Sequence, residues 1–214
     1  MKRSTNSLRG IVIISIFLLA CSLLSRAGTT TETSSTLTPA PLIPSIEQPI
    51  ETRTGLENEN LLAEIPEGFR IGYQAEQGNM VINEMVPERE SVNTWTTLVT
   101  VQIFLGETNI TPKQYQETMT QNWFSACPGS ESYPVADGSE NGYGFVLWQL
   151  YCPLNPATQK VEYTYMKAIQ GNDSFYLVQV AFRHEPSEEE ITQWMKYLRE
   201  VRVCDSRLPE QACS

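Results

Sequence analysis

Residues 93–105, NTWTTLVTVQIFL, constrain the fold more than any other stretch of the chain. Nearly every position is β-branched or aromatic. Trp95, Thr97, Val99, Val101, Ile103 and Leu105 fall on one face at period two, and Thr94, Thr96, Leu98, Thr100, Gln102 and Phe104 on the other. That pattern predicts a long strand, central in a sheet, with one face well buried.

Around this strand the chain reads as strands, helix, strands, helix. Residues 65–68, IPEG, make a turn, and strands follow over 69–75 and 80–86 on either side of Gln77-Gly78-Asn79. A polar connection, 87–93, leads into the long strand. Thr111 then opens a helix as its cap, with Pro112 in the first turn and Gln114 completing a capping box. Tyr115, Met119, Trp123 and Ala126 form its apolar stripe, and Cys127-Pro128-Gly129 ends it. Residues 131–136 read as an edge strand, because Pro134 cannot donate to a ladder. Strands are predicted over 143–151, 161–170 and 175–183, the last two joined by the turn Gly171-Asn172-Asp173-Ser174. Ser187 opens a final helix in a second capping box, with Glu188, Glu189 and Glu190 at its positive end. Ile191, Trp194, Met195, Leu198 and Val201 supply its apolar face, and Lys196, Arg199 and Arg202 favour its far end. Strands joined by tight turns predict an α+β fold: a mostly antiparallel sheet with two main helices packed on it. One globular domain is expected over residues 61–214.

The N-terminal segment reads differently. Lys2, Arg3 and Arg9 precede the apolar run 11–24, IVIISIFLLACSLL, whose 14 residues are fewer than the roughly 20 of a membrane span. It has the parts of an export signal, and two cleavage readings compete. Leu18-Leu19-Ala20-Cys21 resembles a bacterial lipobox, which implies a diacylated Cys21, a signal peptide over 1–21 and, with Ser22 following, sorting to the outer membrane. Ser25-Arg26-Ala27 fits an ordinary signal peptidase and implies a soluble periplasmic or secreted chain. Residues 22–60, rich in Thr, Ser, Pro and Glu, bury too little apolar surface to order themselves. They read as a tether; as a flexible coil the 33 residues from Gly28 to Asn60 would average roughly 30 Å end to end.

Composition narrows the partners. The chain carries a formal net charge of −10, so it lacks the clustered Lys and Arg that nucleic acid requires. It is also repelled by anionic lipid, and any membrane attachment is hydrophobic or covalent. Beyond Cys21 the cysteines are Cys127, Cys152, Cys204 and Cys213. An even number in an exported chain predicts two disulfides, with Cys127–Cys152 and Cys204–Cys213 favoured among the three pairings. The second closes a short loop that would pin the tail to the end of a helix. Four reduced, buried thiols are the alternative. No C-x-x-C pair is present, and zinc is not expected.

Chemistry is sparse. His184 is the sole histidine, so any Ser-His-Asp or Cys-His device must use it; it falls at an exposed strand end beside the last helix. There is no G-x-S-x-G elbow, P-loop or dinucleotide fingerprint. Glu84, Glu88 and Glu90 could supply a glycosidase pair but read as solvated acids in a polar connection. Tyr163, Tyr165, Tyr176 and Trp148 could form an aromatic binding face but fit core packing better. No catalytic residue, metal or cofactor is assigned. Asn109-Ile110-Thr111 and Asn172-Asp173-Ser174 would be glycosylated only in a eukaryotic secretory route.

The element order over residues 63–203, opening on IPEGFRIGY and closing on a single helix, resembles the PsbP/Mog1-like family of α/β/α sandwiches. That family includes envelope lipoproteins such as DcrB. The resemblance implies the sandwich fold and an accessory or binding role. The expected function is therefore that of an exported, lipid-anchored envelope protein that binds or assists another component without catalysis. An envelope glycan or peptidoglycan hydrolase using carboxylates, and an acidic immunity or inhibitor protein, are the alternatives.

Overall fold

The computed structural model describes residues 56–213. The export signal, Cys21 and most of the expected tether lie outside the described residues.

Seven strands make one sheet in the order β2-β3-β4-β8-β7-β6-β5. They are β2 (Phe69–Gln77), β3 (Met80–Pro87), β4 (Thr97–Leu105), β5 (Glu131–Glu140), β6 (Tyr143–Asn155), β7 (Lys160–Gln170) and β8 (Ser174–Phe182). Every ladder is antiparallel. The helices are α1 (Pro112–Ala126) and α2 (Glu188–Glu200). A short pair, β1 (Glu59–Leu62) and β9 (Arg202–Asp205), forms a second sheet. The fold is α+β, two helices packed on an antiparallel sheet.

Both helices start as their capping chemistry dictates. The Thr111 hydroxyl accepts from the Gln114 N–H while Gln114 reaches back, and Ser187 and Glu190 do the same for α2. Each reciprocal pair satisfies two donors that a helix start leaves orphaned.

The register sorts the side chains onto two faces. Val99, Val180 and Tyr165 stand in one row across β4, β8 and β7, and belong to the cluster that α2 covers with Trp194 and Leu198. Phe104, Phe175, Met166 and Trp148 lie on the opposite face, with α1 above them through Tyr115 and Trp123. One helix on each side makes a three-layer α/β/α arrangement.

Several expectations are corrected. Trp95 does not continue the Val99 face. The Glu90 carboxylate accepts from the Thr96 N–H at 2.6 Å and from its hydroxyl at 2.8 Å. The chain bends there, ahead of β4, and Trp95 packs on Leu98 and Ala181 on the α1 face. Both faces of β4 are buried over residues 97–101, not one. On α1, Ala126 is exposed, and Gln116 is buried instead. The strand pair β1–β9 brings Glu59 and Asn60, assigned to the tether, into the fold. β9 also means that Cys204 sits in a strand rather than at a helix end.

Candidate functional site

Each face is covered by one helix, and neither helix is wide enough for seven strands. α1 crosses its face diagonally. Its Tyr115 ring meets Phe104 and Phe175 at the hairpin end of β4 and β8, at centroid distances of 6.2 and 5.0 Å. At the other end the Trp123 indole N–H donates to the Tyr151 carbonyl at 3.4 Å, and Cys127 meets Cys152 of β6. The loop preceding β4 adds Val92 and Trp95, over Val86, Leu98 and Ala181. Between these two contacts, in the middle of β3 and β4, Glu84 and Thr100 are also buried.

This part of the sheet is polar. Glu84, Thr100 and Gln179 stand in one cross-strand row on β3, β4 and β8, with Ile82 and Gln102 in the adjoining row. Glu84 is 7% exposed, and its Oε2 is buried with no hydrogen-bond partner among the described residues. Burial lifts its pKa above the ordinary carboxylate value, and no neighbouring cation opposes the shift. The nearer basic groups are engaged elsewhere. Arg70 donates to the carbonyls of Glu88 and Glu90, and the Arg183 guanidinium lies 3.7 Å from the Trp95 ring centroid.

A second buried acid behaves differently. Glu162 accepts from the Asn155 side-chain amide at 2.8 Å. Burial again raises its pKa, against the Asn155 hydrogen bond, the Arg183 charge and the Thr164 hydroxyl. Its needs are met from within the fold, and those of Glu84 are not.

The opposite face is incomplete at the β5–β6 side. There Tyr151 and Tyr163 pair across the strands at 4.8 Å between centroids, both half-buried, and Tyr133 stands exposed on β5. Of the aromatic residues singled out from the sequence, Tyr165, Tyr176 and Trp148 are core residues, and only Tyr163 reaches this surface. A shallow depression of about 410 Å³ runs between the start of α1 and β5–β6, with Lys113, Gln116, Asp137 and Phe145 on its walls.

The remaining candidates fall into structural roles. His184 Nε2 lies 3.0 Å from Glu190 Oε1, beside the α2 capping box, and the ring packs edge-on to Phe182. Glu190 is held below the usual carboxylate range chiefly by the Ser187 N–H, with His184 and the Ser187 hydroxyl adding to it. Glu188 and Glu189 occupy the first turn of α2. Glu90 closes the loop before β4, and Glu88 is exposed. Glu84, by contrast, belongs to β3 and is buried, not solvated in a connection. The Cα atoms of Cys127 and Cys152 are 6.0 Å apart and those of Cys204 and Cys213 4.9 Å, and both pairs are joined through sulfur. Among the described residues no group of three or more His, Cys, Asp or Glu side chains could hold a metal ion.

No family model matches the chain. No curated protein matches it at a significant level. Among solved structures it is similar to the Ran-binding protein Mog1p of Saccharomyces cerevisiae, at 12% identity and a TM-score of 0.37 over 66% of this chain and 85% of that one. A mutant of protein Mog1 gives 12% identity and 0.37 over 65% and 84%.

Proposed function

We propose that the chain is an exported envelope protein, anchored through a lipid on Cys21, whose folded domain binds another envelope component without transforming it. The observation that carries this reading is the lone buried carboxylate of Glu84, which has no partner among the described residues, while the histidine and the second buried acid are both engaged in the fold. A lone desolvated carboxylate can hold a donor. General acid–base hydrolysis needs a second group poised across the substrate. The two joined cysteine pairs support an oxidising compartment, where such bonds persist.

Fractionation of cells tests the anchor. The wild-type chain takes up labelled palmitate and sediments with membranes, and Cys21→Ser is exported but soluble. A Cys21→Ser chain that still sediments with membranes refutes lipid anchoring, and a wild-type chain found in the cytosol refutes export.

A further inference from the structure

The depression beside the start of α1 is open to solvent, unlike the surroundings of Glu84. Its volume is about 410 Å³, and Lys113, Asp137 and Gly144, which line it, are all exposed. α1 supplies one wall with Lys113 and Gln116, and β5 another with Pro134 and Asp137. Val146 stands opposite Asp137 in the β5–β6 ladder and packs under α1; Gly144, two residues earlier, lies on the same face. A Cβ at Gly144 would meet no atom within 4 Å, so the floor there is bare backbone under open space. The two charges are opposite in sign, yet neither forms an ion pair among the described residues. Lys113 Nζ donates instead to Gln116 Oε1 at 2.8 Å, and Gln116 is only 7% exposed. A buried neutral amide thus steadies a surface ammonium that has further N–H donors to offer.

We propose that this depression binds a short peptide with free ends, its terminal carboxylate on Lys113 and its terminal ammonium on Asp137. This rests on the reading of the domain as a binding module and names what it binds and where. Charge complementarity selects the occupant. An anionic ligand would leave Asp137 facing a like charge, and a cationic one would do the same to Lys113; a zwitterion answers both. A free amino acid carries its two charges on one carbon, whereas Lys113 and Asp137 stand on different walls, and a peptide separates them. Pro112, Pro134 and Val146 add apolar surface for small side chains, and the bare backbone at Gly144 lets the ligand's main chain lie close. A peptide of about two to four residues, roughly 7–14 Å when extended, matches the scale of a small-ligand pocket. Because Gln116 already holds the ammonium, Lys113 gives up little side-chain freedom on binding.

The test is an NMR titration of the mature exported chain, disulfides intact, with di-, tri- and tetra-alanine, each beside its N-acetylated and its C-amidated form. Saturable amide shifts at Lys113, Gln116, Asp137 and Gly144 are expected with at least one free-ended peptide. Blocking either end weakens that binding at least about fivefold, the upper worth of an exposed ion pair. Lys113→Gln no longer distinguishes the amidated peptide from the free one but still rejects the acetylated form; Asp137→Asn does the reverse. Gly144→Val fills the floor without displacing a neighbour, at a backbone position outside the left-handed region, and abolishes binding while the fold stays intact. Glu88→Gln, on the exposed loop, changes nothing. No saturable shift up to about 10 mM, past the millimolar range of weak complexes, overturns the proposal. So do shifts confined to other surfaces, indifference of the wild type to blocked ends, or full end selectivity in both charge variants. Each of those results leaves the membrane anchoring of Cys21 to be decided by fractionation, so the two failures are distinguishable.

Discussion

The ammonium of Lys167 lies 2.8 Å from the carbonyl oxygen of Leu198, although the lysine sits in the centre of a strand and is only 1% exposed. The same nitrogen donates to the Val201 carbonyl at 2.8 Å and to Glu140 Oε2 at 2.5 Å, and it stands 5.0 Å from the Phe145 ring centroid. Leu198 and Val201 are the end of α2. A buried cation thus satisfies the orphan carbonyls there and complements the negative end of the helix dipole. Lys167→Met leaves both carbonyls and Glu140 without their donor. The expected loss is about 2–4 kcal/mol in urea unfolding. Glu140→Gln costs less, since its carboxylate is 32% exposed and water can replace the lysine. A neutral Lys167→Met would mean the contacts contribute nothing to stability.

The unpaired buried acid, Glu84, should act in the opposite sense. A carboxyl whose pKa is higher in the folded state than in the unfolded chain binds more protons when folded. Between the two values, stability therefore falls as pH rises. Glu84→Gln removes that cost, so the variant is more stable than wild type at pH 7, by on the order of 1–3 kcal/mol. The difference closes as pH falls through the raised value and is gone below about 4.5, the ordinary value for the group. Thermal melts of both proteins between pH 4 and pH 8 (an order-of-magnitude window around the carboxylate range) measure it. A variant less stable at neutral pH would show that Glu84 holds the fold together.

The two disulfides should differ in what they contribute. By loop-closure entropy, the bond spanning 25 residues, Cys127–Cys152, is worth about 3.5 kcal/mol, and that spanning 9, Cys204–Cys213, about 2.5 kcal/mol. The first ties α1 to β6, and the second ties the tail to β9. Paired serine variants, Cys127→Ser with Cys152→Ser and Cys204→Ser with Cys213→Ser, rank them in chemical denaturation. The reverse order would show that strand β9 depends on its staple more than α1 does.

Glu59 makes a further local prediction. Its carboxylate accepts from the N–H groups of Asn172, Asp173 and Ser174 at 2.6, 3.0 and 3.2 Å and from the Tyr176 hydroxyl at 2.9 Å. Four donors on one side chain fasten β1 to the β7–β8 turn. Glu59→Ala should raise hydrogen exchange at Asn172, Asp173 and Ser174 and in β1 and β9, leaving β4 and β8 protected, with a stability loss of about 1–3 kcal/mol. Uniform loss of protection across the sheet would make the clamp part of the global core.

Much of this architecture was legible because its signals are local. Thr111-Pro112-Lys113-Gln114 and Ser187-Glu188-Glu189-Glu190 carry their helix starts within four residues. The turn residues 171–174 set a hairpin between two strands rich in β-branched and aromatic residues. What was not legible depends on distant parts of the chain. β1 and β9 are four residues each, and β1 lies in polar sequence, so only their mutual pairing makes them strands. Trp95 changes face because a carboxylate five residues earlier bends the backbone, which period two cannot anticipate. The cation at the end of α2 was sought among Lys196, Arg199 and Arg202. Arg199 does stand in the last turn, but the cation that bonds the end carbonyls is Lys167, which adjoins the helix only through the fold.

The candidate site shows the same division. Glu84, in MVINEMV, reads with Glu88 and Glu90 as a solvated acid of a polar connection. Its burial is a property of the folded sheet, which those seven residues do not encode. Trp148, Tyr165 and Tyr176 are core, as their sequence favoured; that Tyr163 is only half-buried is set by helix position and not by strand composition.

One measurement bears on the whole account: the intact mass, without reduction, of the chain recovered from the membrane fraction. The account predicts a protein beginning at Cys21, carrying diacyl lipid, and lacking four hydrogens relative to its fully reduced form, two for each bond. A chain beginning at Met1, without lipid and with its thiols free, would contradict it.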